Sequence, residues 1–304
     1  MTTAPQDTAA RSPVGTQVDG VTVLAALSPS RAADFRSCAL KYRLRTIDKL
    51  EEPTSPQALR GTLVHKVLED LFDLPSSQRT PEAAQMMVQG AWEHVLQAQP
   101  EVATTFAASE SDLEGWLHSC RVILDGYFAL EDPRRLEPAA REVYVETLLD
   151  SKLLLRGYVD RIDVAPDGAV RVVDYKTGRS PGIGFESSAL FQLRFYALVL
   201  WRTRGVVPAL LQLIYLGDGQ IVSYRPDEQD LRATQRVVEA VGRAITLARE
   251  SGEWQPNRGP ACRWCSFQAH CPAFGNPAPP LPESAAEGVQ PARTALEPDV
   301  EADP

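Results

Sequence analysis

The sequence of 304 residues contains no apolar run approaching the roughly 20 residues needed to cross a bilayer. Its first 20 residues are polar and hold no apolar h-region, which excludes a secretory signal there and leads us to expect a cytoplasmic protein with no membrane partner. No G-x-x-x-x-G-K-S/T loop is present, so the chain is not itself a nucleotide-driven motor. There is neither a G-x-S-x-G element nor a reactive Cys–His pairing, which leaves a covalent serine or cysteine mechanism without support. Cysteine is scarce, five in all, and a disulfide framework is not expected in a cytoplasmic chain. An excess of basic charge is also missing: the formal net charge is −9.

That acidity is unevenly placed. Residues 276–304 hold six acids against the single base Arg293, more than half of the excess. Residues 28–45 run the other way, with Arg31, Arg36, Lys41, Arg43 and Arg45 against Asp34 alone. A basic segment of this kind is compatible with contact to a phosphate backbone, and equally with a solvated helix face.

Residues 1–19 and 276–304 are rich in Pro, Ala, Ser and acids, and both read as disordered tails around one domain at 20–275. Within it, Ser28-Pro29-Ser30 starts a helix carried to about residue 45 by Phe35, Leu40 and Leu44. Helices are expected at 60–74, 81–98 and 111–130, then strands at 140–149, 153–164 and 169–176. A helix over 187–203, strands at 209–216 and 220–224 around Gly217-Asp218-Gly219, and an amphipathic helix over 227–251 complete the chain. This order predicts an α/β fold, a mixed central sheet flanked by helices, with a helical insertion at about 75–135.

The most informative stretch is Gly157-Tyr158-Val159-Asp160-Arg161-Ile162-Asp163, a Pro166-Asp167-Gly168 turn, and Val172-Val173-Asp174-Tyr175-Lys176-Thr177-Gly178. Alternation along a strand projects Asp174 and Lys176 together and turns Tyr175 away. The turn can bring Asp160 beside them. Carboxylates so placed suit a hard cation such as Mg²⁺ or Mn²⁺, and an adjacent ammonium suits a phosphoryl transition state. Arg161 and Asp163 read as a local ion pair.

This arrangement resembles the PD-(D/E)xK nuclease superfamily, and within it the RecB-type nuclease domain and its free-standing relatives that carry an iron–sulfur cluster. Further pieces occur in that family's order across residues 27–273: Leu27-Ser28-Pro29-Ser30 with Cys38, Gly61-Thr62-Leu63-Val64-His65, Gln192 to Tyr196, and a cysteine cluster at 262–271. The resemblance implies a PD-(D/E)xK (restriction-endonuclease-like) fold and a metal-dependent DNA exonuclease acting on single strands or ends in repair or recombination. A non-cutting nucleic-acid-binding module, or the nuclease subunit of a separate helicase, is the alternative.

The resemblance also implies a site. His65 becomes a metal ligand, where a lone histidine would otherwise read as a core residue. Asp160, Asp174 and the backbone carbonyl of Tyr175 complete the set. Gly61 would let another backbone approach, and Glu69, one turn beyond His65, could support it. One acid is expected on the preceding strand, with Glu142 slightly favoured over Glu146. Gln192 and Tyr196, four apart, share a helix face; the resemblance sets them against the phosphate or Lys176, whereas the spacing alone would read as core packing.

Cys262-x₂-Cys265-x₅-Cys271 offers three soft ligands and needs a fourth. The resemblance supplies Cys38 and a 4Fe–4S cluster; four thiolates also suit zinc. His270 could compete as a ligand. Cys120, on an expected helix, reads as a core cysteine.

Overall fold

The computed structural model describes residues 16–18, 21–23, 25–106, 110–182 and 186–282. A short antiparallel pair, β1 (Thr16–Val18) with β2 (Val21–Val23), precedes the first strand of the main sheet, β3 (Ala25–Leu27). Three residues of the expected N-terminal tail are therefore in a strand; residues 1–15 and 283–304 lie outside the described residues.

The expected helix over 28–45 is three pieces. α1 (Pro29–Ser37) starts on Ser28, whose Oγ accepts the Arg31 amide proton at 3.3 Å. Cys38 then turns to extended backbone, its sulfur receives the Lys41 amide at 3.5 Å, and α2 (Ala39–Tyr42) runs into a π-helical turn at Arg43–Ile47. The break turns Cys38 toward a distant part of the chain. The basic segment is largely neutralised here. Asp34 receives Lys41 at 2.8 Å and Arg45 at 2.7 Å, and Arg43 is buried on Asp48 at 3.1 Å. Three of the segment's five bases, Lys41, Arg43 and Arg45, are thus held in a folded ion-pair network.

α3 (Pro56–Leu71) begins at the Ser55 cap and buries Leu59, Leu63, Val67 and Leu71, spaced as one helical stripe. α4 (Pro81–Ala98) and α5 (Glu110–Leu130) pack against it. The expected insertion is thus a layer of the core. β4 (Ala140–Leu148), β5 (Leu153–Val164) and β6 (Val170–Lys176) follow as an antiparallel meander. α6 (Glu186–Arg204) crosses over to β7 (Leu210–Tyr215), which lies parallel to β6; β8 (Gln220–Tyr224) closes that edge. α7 (Glu228–Ser251) starts in a reciprocal Asp227–Asp230 cap and stops at Gly252, whose φ of 73° is left-handed.

The mixed six-stranded sheet carries one core on each face. Val172, Leu211 and Leu213 join α1, α6 and α7 on one side, while Val173, Tyr175 and Ile214 join α3, α4 and α5 on the other. Each fully buried side chain of this size contributes about 1.5–3 kcal/mol. Contacts run past the expected boundary at 275: Asn276 Nδ2 donates to the Gln268 carbonyl at 2.9 Å, and the Arg43 guanidinium donates to the Pro279 carbonyl.

The sheet also forks. β5 and β6 pair only from Arg161↔Val173 to Val164↔Val170. Beyond Arg161, β5 leaves β6, and its freed edge is taken by β3 at Leu153–Leu155. Beyond Val173, β6 continues on β7 alone. The proposed site lies in this fork.

Candidate active site

Asp160 is the first residue of β5 past the last β5–β6 pair, and Asp174 the first of β6. Strand alternation slips here. Leu153, Leu155 and Val159 face the α6 core, as does Ile162, whereas Arg161 points to the other face, under the Tyr175 ring. Opposite Asp160 in the ladder, between Val143↔Val159 and Arg141↔Arg161, stands Glu142 with φ of 40°, in the left-handed region. That backbone distinguishes it from Glu146, which is instead bonded to the Tyr144 hydroxyl at 2.6 Å.

His65, from α3, meets these acids. Its Nε2 lies 3.0 Å from the Tyr175 carbonyl oxygen, to which it donates. Its Nδ1 then faces Asp160 Oδ2 at 3.4 Å and Glu142 Oε1 at 3.7 Å. Ligand atoms of His65, Glu142 and Asp160 lie within 4.8 Å of one another. Burial works to lower the His65 pKa, but Glu142 and the charges of Asp160 and Asp174 outweigh it and raise it to about 9. Burial, then the charge of Asp174, pushes Asp160 up to about 7, against the pull of His65 and the Tyr175 amide. Crowded carboxylates of this kind are relieved by a cation.

Asp174, expected as a ligand, stands outside that group. Its Oδ2 is engaged by the Lys176 ammonium at 2.5 Å, while Oδ1 has no hydrogen-bond partner among the described residues, and the residue is 1% exposed. A buried carboxylate with open lone pairs fits a metal ligand. The Tyr175 carbonyl, expected as a ligand, lies 3.0 Å from His65 Nε2. Glu69 serves Lys66, at 3.2 Å, and the Arg141 guanidinium caps its carbonyl. Among the described residues outside α3's own turn, no backbone comes within 4 Å of a Cβ added at Gly61; the nearest atom is Thr177 Oγ1 at 3.8 Å.

Lys176 Nζ donates to Gln192 Oε1 at 2.9 Å, and Gln192 Nε2 lies 3.4 Å from the Tyr196 hydroxyl. α6 thus holds the ammonium through an amide and a phenol. The Tyr196 ring is seated against Gly157, where an added Cβ would come 2.8 Å from Cε1.

Residues 26–272 match the PD-(D/E)XK nuclease superfamily. The chain belongs to that superfamily. It is similar to the Gene 69 protein of Mycobacterium phage D29, at 26% identity over 269 residues, 81% of this chain and 96% of that one. It is 30% identical over 159 residues to an ATP-dependent helicase/deoxyribonuclease subunit from Streptococcus equi subsp. zooepidemicus strain H70, which is 50% of this chain and 14% of that relative. The crystal structure of a "Putative exonuclease" from Eubacterium rectale shares the fold, with a TM-score of 0.51, 16% identity, and coverage of 79% of this chain and 86% of that one.

One part of this nuclease-superfamily site is not legible from the sequence. Arg161 does pair with Asp163, at 3.2 Å, but it is fully buried and also bonds Glu131 and the Tyr175 hydroxyl. Arg171 ties Glu131 and Asp163 together from the neighbouring strand, at 3.1 Å and 2.8 Å. The network locks the Tyr175 side chain, and with it the amide and carbonyl that Asp160 and His65 use. The acid–base alternation Arg161-x-Asp163 and Arg171 is its only local signal.

The cysteines divide as the sequence suggests in one respect: Cys120 is fully buried in the α3–α5 core. Cys38 and Cys262 each border Asn257, whose amide lies 3.4 Å from Cys38 Sγ and whose carbonyl lies 3.8 Å from Cys262 Sγ. Cys265 and Cys271 pack against the same core as Cys38. His270 has no assigned part in this arrangement. No helix among the described residues is long and apolar enough to cross a membrane.

Proposed function

We propose that this chain is a divalent-metal-dependent deoxyribonuclease that acts on single strands or ends, an exonuclease of DNA repair or recombination in the cytoplasm. The observation that carries the reading is Asp174: a buried carboxylate whose Oδ1 has no partner among the described residues, one strand from Asp160 and with its Oδ2 on the Lys176 ammonium. His65, Glu142, Asp160, Asp174 and the Tyr175 carbonyl would hold Mg²⁺ or Mn²⁺, a mostly oxygen set suited to a hard cation. When bound, the cation supplies a Lewis acid against the phosphate and lowers the pKa of an attacking water. Lys176 orients that water and offsets charge developing on the phosphate. Gln192, steadied by Tyr196, fixes the ammonium. No side chain forms a covalent bond to the substrate.

Similarity to the streptococcal helicase/deoxyribonuclease protein supports a separate helicase as partner, although the shared stretch spans only 14% of that relative. Cys38, Cys262, Cys265 and Cys271 would hold a 4Fe–4S cluster in preference to zinc, as the family resemblance implies; that Cys38 and Cys262 both border Asn257, 219 positions from Cys38, supports a shared site for either. Its role is to tie the two ends of the domain, as a cross-link over so long a loop restricts the unfolded chain. Iron analysis tests it: Cys271→Ser loses iron and melts lower, and Cys120→Ser keeps its iron; full iron in Cys271→Ser would refute the assignment. The end-directed reading is tested with linear and circular single-stranded DNA. Degradation of the linear form alone supports it, and equal cutting of circles contradicts it.

A further inference from the structure

Tyr144 of β4 and Tyr158 of β5 stand directly opposite each other, with ring centroids 5.3 Å apart and planes at 58°. They are 39% and 50% exposed. A cross-strand ring pair stabilises a sheet whether or not anything binds, so exposure alone assigns no role. Position does. Tyr144 is two residues from Glu142 and Tyr158 two residues from Asp160, two ladder steps from the acids and roughly 6.8 Å along each strand. Two residues further, Arg156 opposes Glu146, which accepts the Tyr144 hydroxyl at 2.6 Å and fixes that ring. Arg31 lies close enough to Arg156 for their positive charges to act on each other. Running out from the fork, the sheet therefore offers acids, then paired rings, then guanidinium groups.

We propose that Tyr144 and Tyr158 form a stacking platform for the unpaired bases next to the scissile phosphate, with Arg156 on the adjoining backbone phosphate, so that the preferred substrate is single-stranded nucleic acid. The proposal rests on the nuclease reading and adds the residues that select unpaired bases. Ring faces accept any base, so the platform is tolerant of sequence, and they stack only on bases released from a duplex.

Binding of short oligothymidylate, its abasic analogue with the same phosphates, and the matching duplex is measured by fluorescence anisotropy in Mg²⁺, all in a Lys176→Ala background that slows cleavage by on the order of 10²-fold or more. The parent protein binds thymidylate on the order of tenfold or more tighter than the abasic strand. Tyr144→Ala with Tyr158→Ala removes that preference and leaves abasic and duplex binding nearly unchanged, and Tyr144→Phe with Tyr158→Phe restores it. Equal affinity of the parent for thymidylate and abasic strands overturns the platform, and this comparison needs no tyrosine variant. Retention of the preference by the alanine pair also overturns it. So does an equal loss on both strands with an unchanged melting temperature, which would make the tyrosines a contact for a backbone or a protein partner. Cleavage by the wild-type protein in Mn²⁺ is scored separately: discrimination between the strands without cleavage would sink the nuclease reading and leave the platform standing.

Discussion

Asp160 Oδ2 accepts the backbone amide proton of Tyr175 at 2.8 Å, across the gap where β5 and β6 part. The bond replaces the ladder contact that the fork removes. A single carboxylate therefore closes the sheet and faces the metal-type cluster with His65 and Glu142. It does so in a buried place where its charge is unwelcome without a cation.

Asp160→Asn separates the two duties. The amide oxygen still accepts from Tyr175, while the charge next to Asp174 is gone. The folded pKa of Asp160 is raised to about 7, above its unfolded value, so the ionised form costs stability as pH rises above that unfolded value. In EDTA at pH 8 the variant should melt no lower than the wild type. The increase in melting temperature that Mn²⁺ gives the wild type should disappear. Thermal denaturation with and without Mn²⁺ checks both, and a clear loss of stability in EDTA would mean that the charge itself holds the fork.

Gln192→Ala removes the acceptor 2.9 Å from Lys176 Nζ and leaves the ammonium to Asp174 alone. Turnover should fall by about 10- to 100-fold, with KM and melting temperature little changed. An unchanged kcat would return the Gln192–Tyr196 pair to core packing.

Gly157→Ala places a methyl 2.8 Å from Cε1 of a Tyr196 ring that is itself buried. Neither side has room, so the variant should lose about 1–3 kcal/mol of stability. It should also lose turnover beyond that, because displacing Tyr196 loosens Gln192 and Lys176. Urea denaturation and single-turnover kinetics on the same preparation separate the two effects. Wild-type behaviour in both would show that the ring moves freely.

Cys120 should resist alkylation in the native protein. It is fully buried, and burial raises its thiol to about 11, so at pH 8 almost none is thiolate. Mass spectrometry after iodoacetamide should find it modified only in denaturant. Labelling of the native protein at Cys120 would show that the α3–α5 layer opens.

The elements of the sheet are legible because their signals are local. β6 and β8 follow from β-branched runs between turn residues, and Asp174 with Lys176 from simple alternation. What is not legible depends on remote contacts. The choice of Glu142 over Glu146 rests on one left-handed residue beside the fork. The helix break at Cys38 goes with Asn257, 219 positions away. Much of the cationic look of residues 28–45 goes once Lys41, Arg43 and Arg45 are taken up by Asp34, Asp48 and Glu52. Arg161 draws its burial from Glu131 and Tyr175, which its own neighbourhood does not announce.

The central claim is that Asp174 and Lys176, beside Asp160 in the fork, perform metal-dependent hydrolysis of a phosphodiester. The direct measurement is release of label from end-labelled single- and double-stranded DNA by the wild type, Asp174→Ala and Lys176→Ala, each in Mg²⁺, in Mn²⁺ and in EDTA. The account predicts cleavage by the wild type with either metal and none in EDTA. Both variants, folded by circular dichroism, should be slower by on the order of 10²-fold or more. Cleavage in EDTA, or near-wild-type rates from either folded variant, would contradict it.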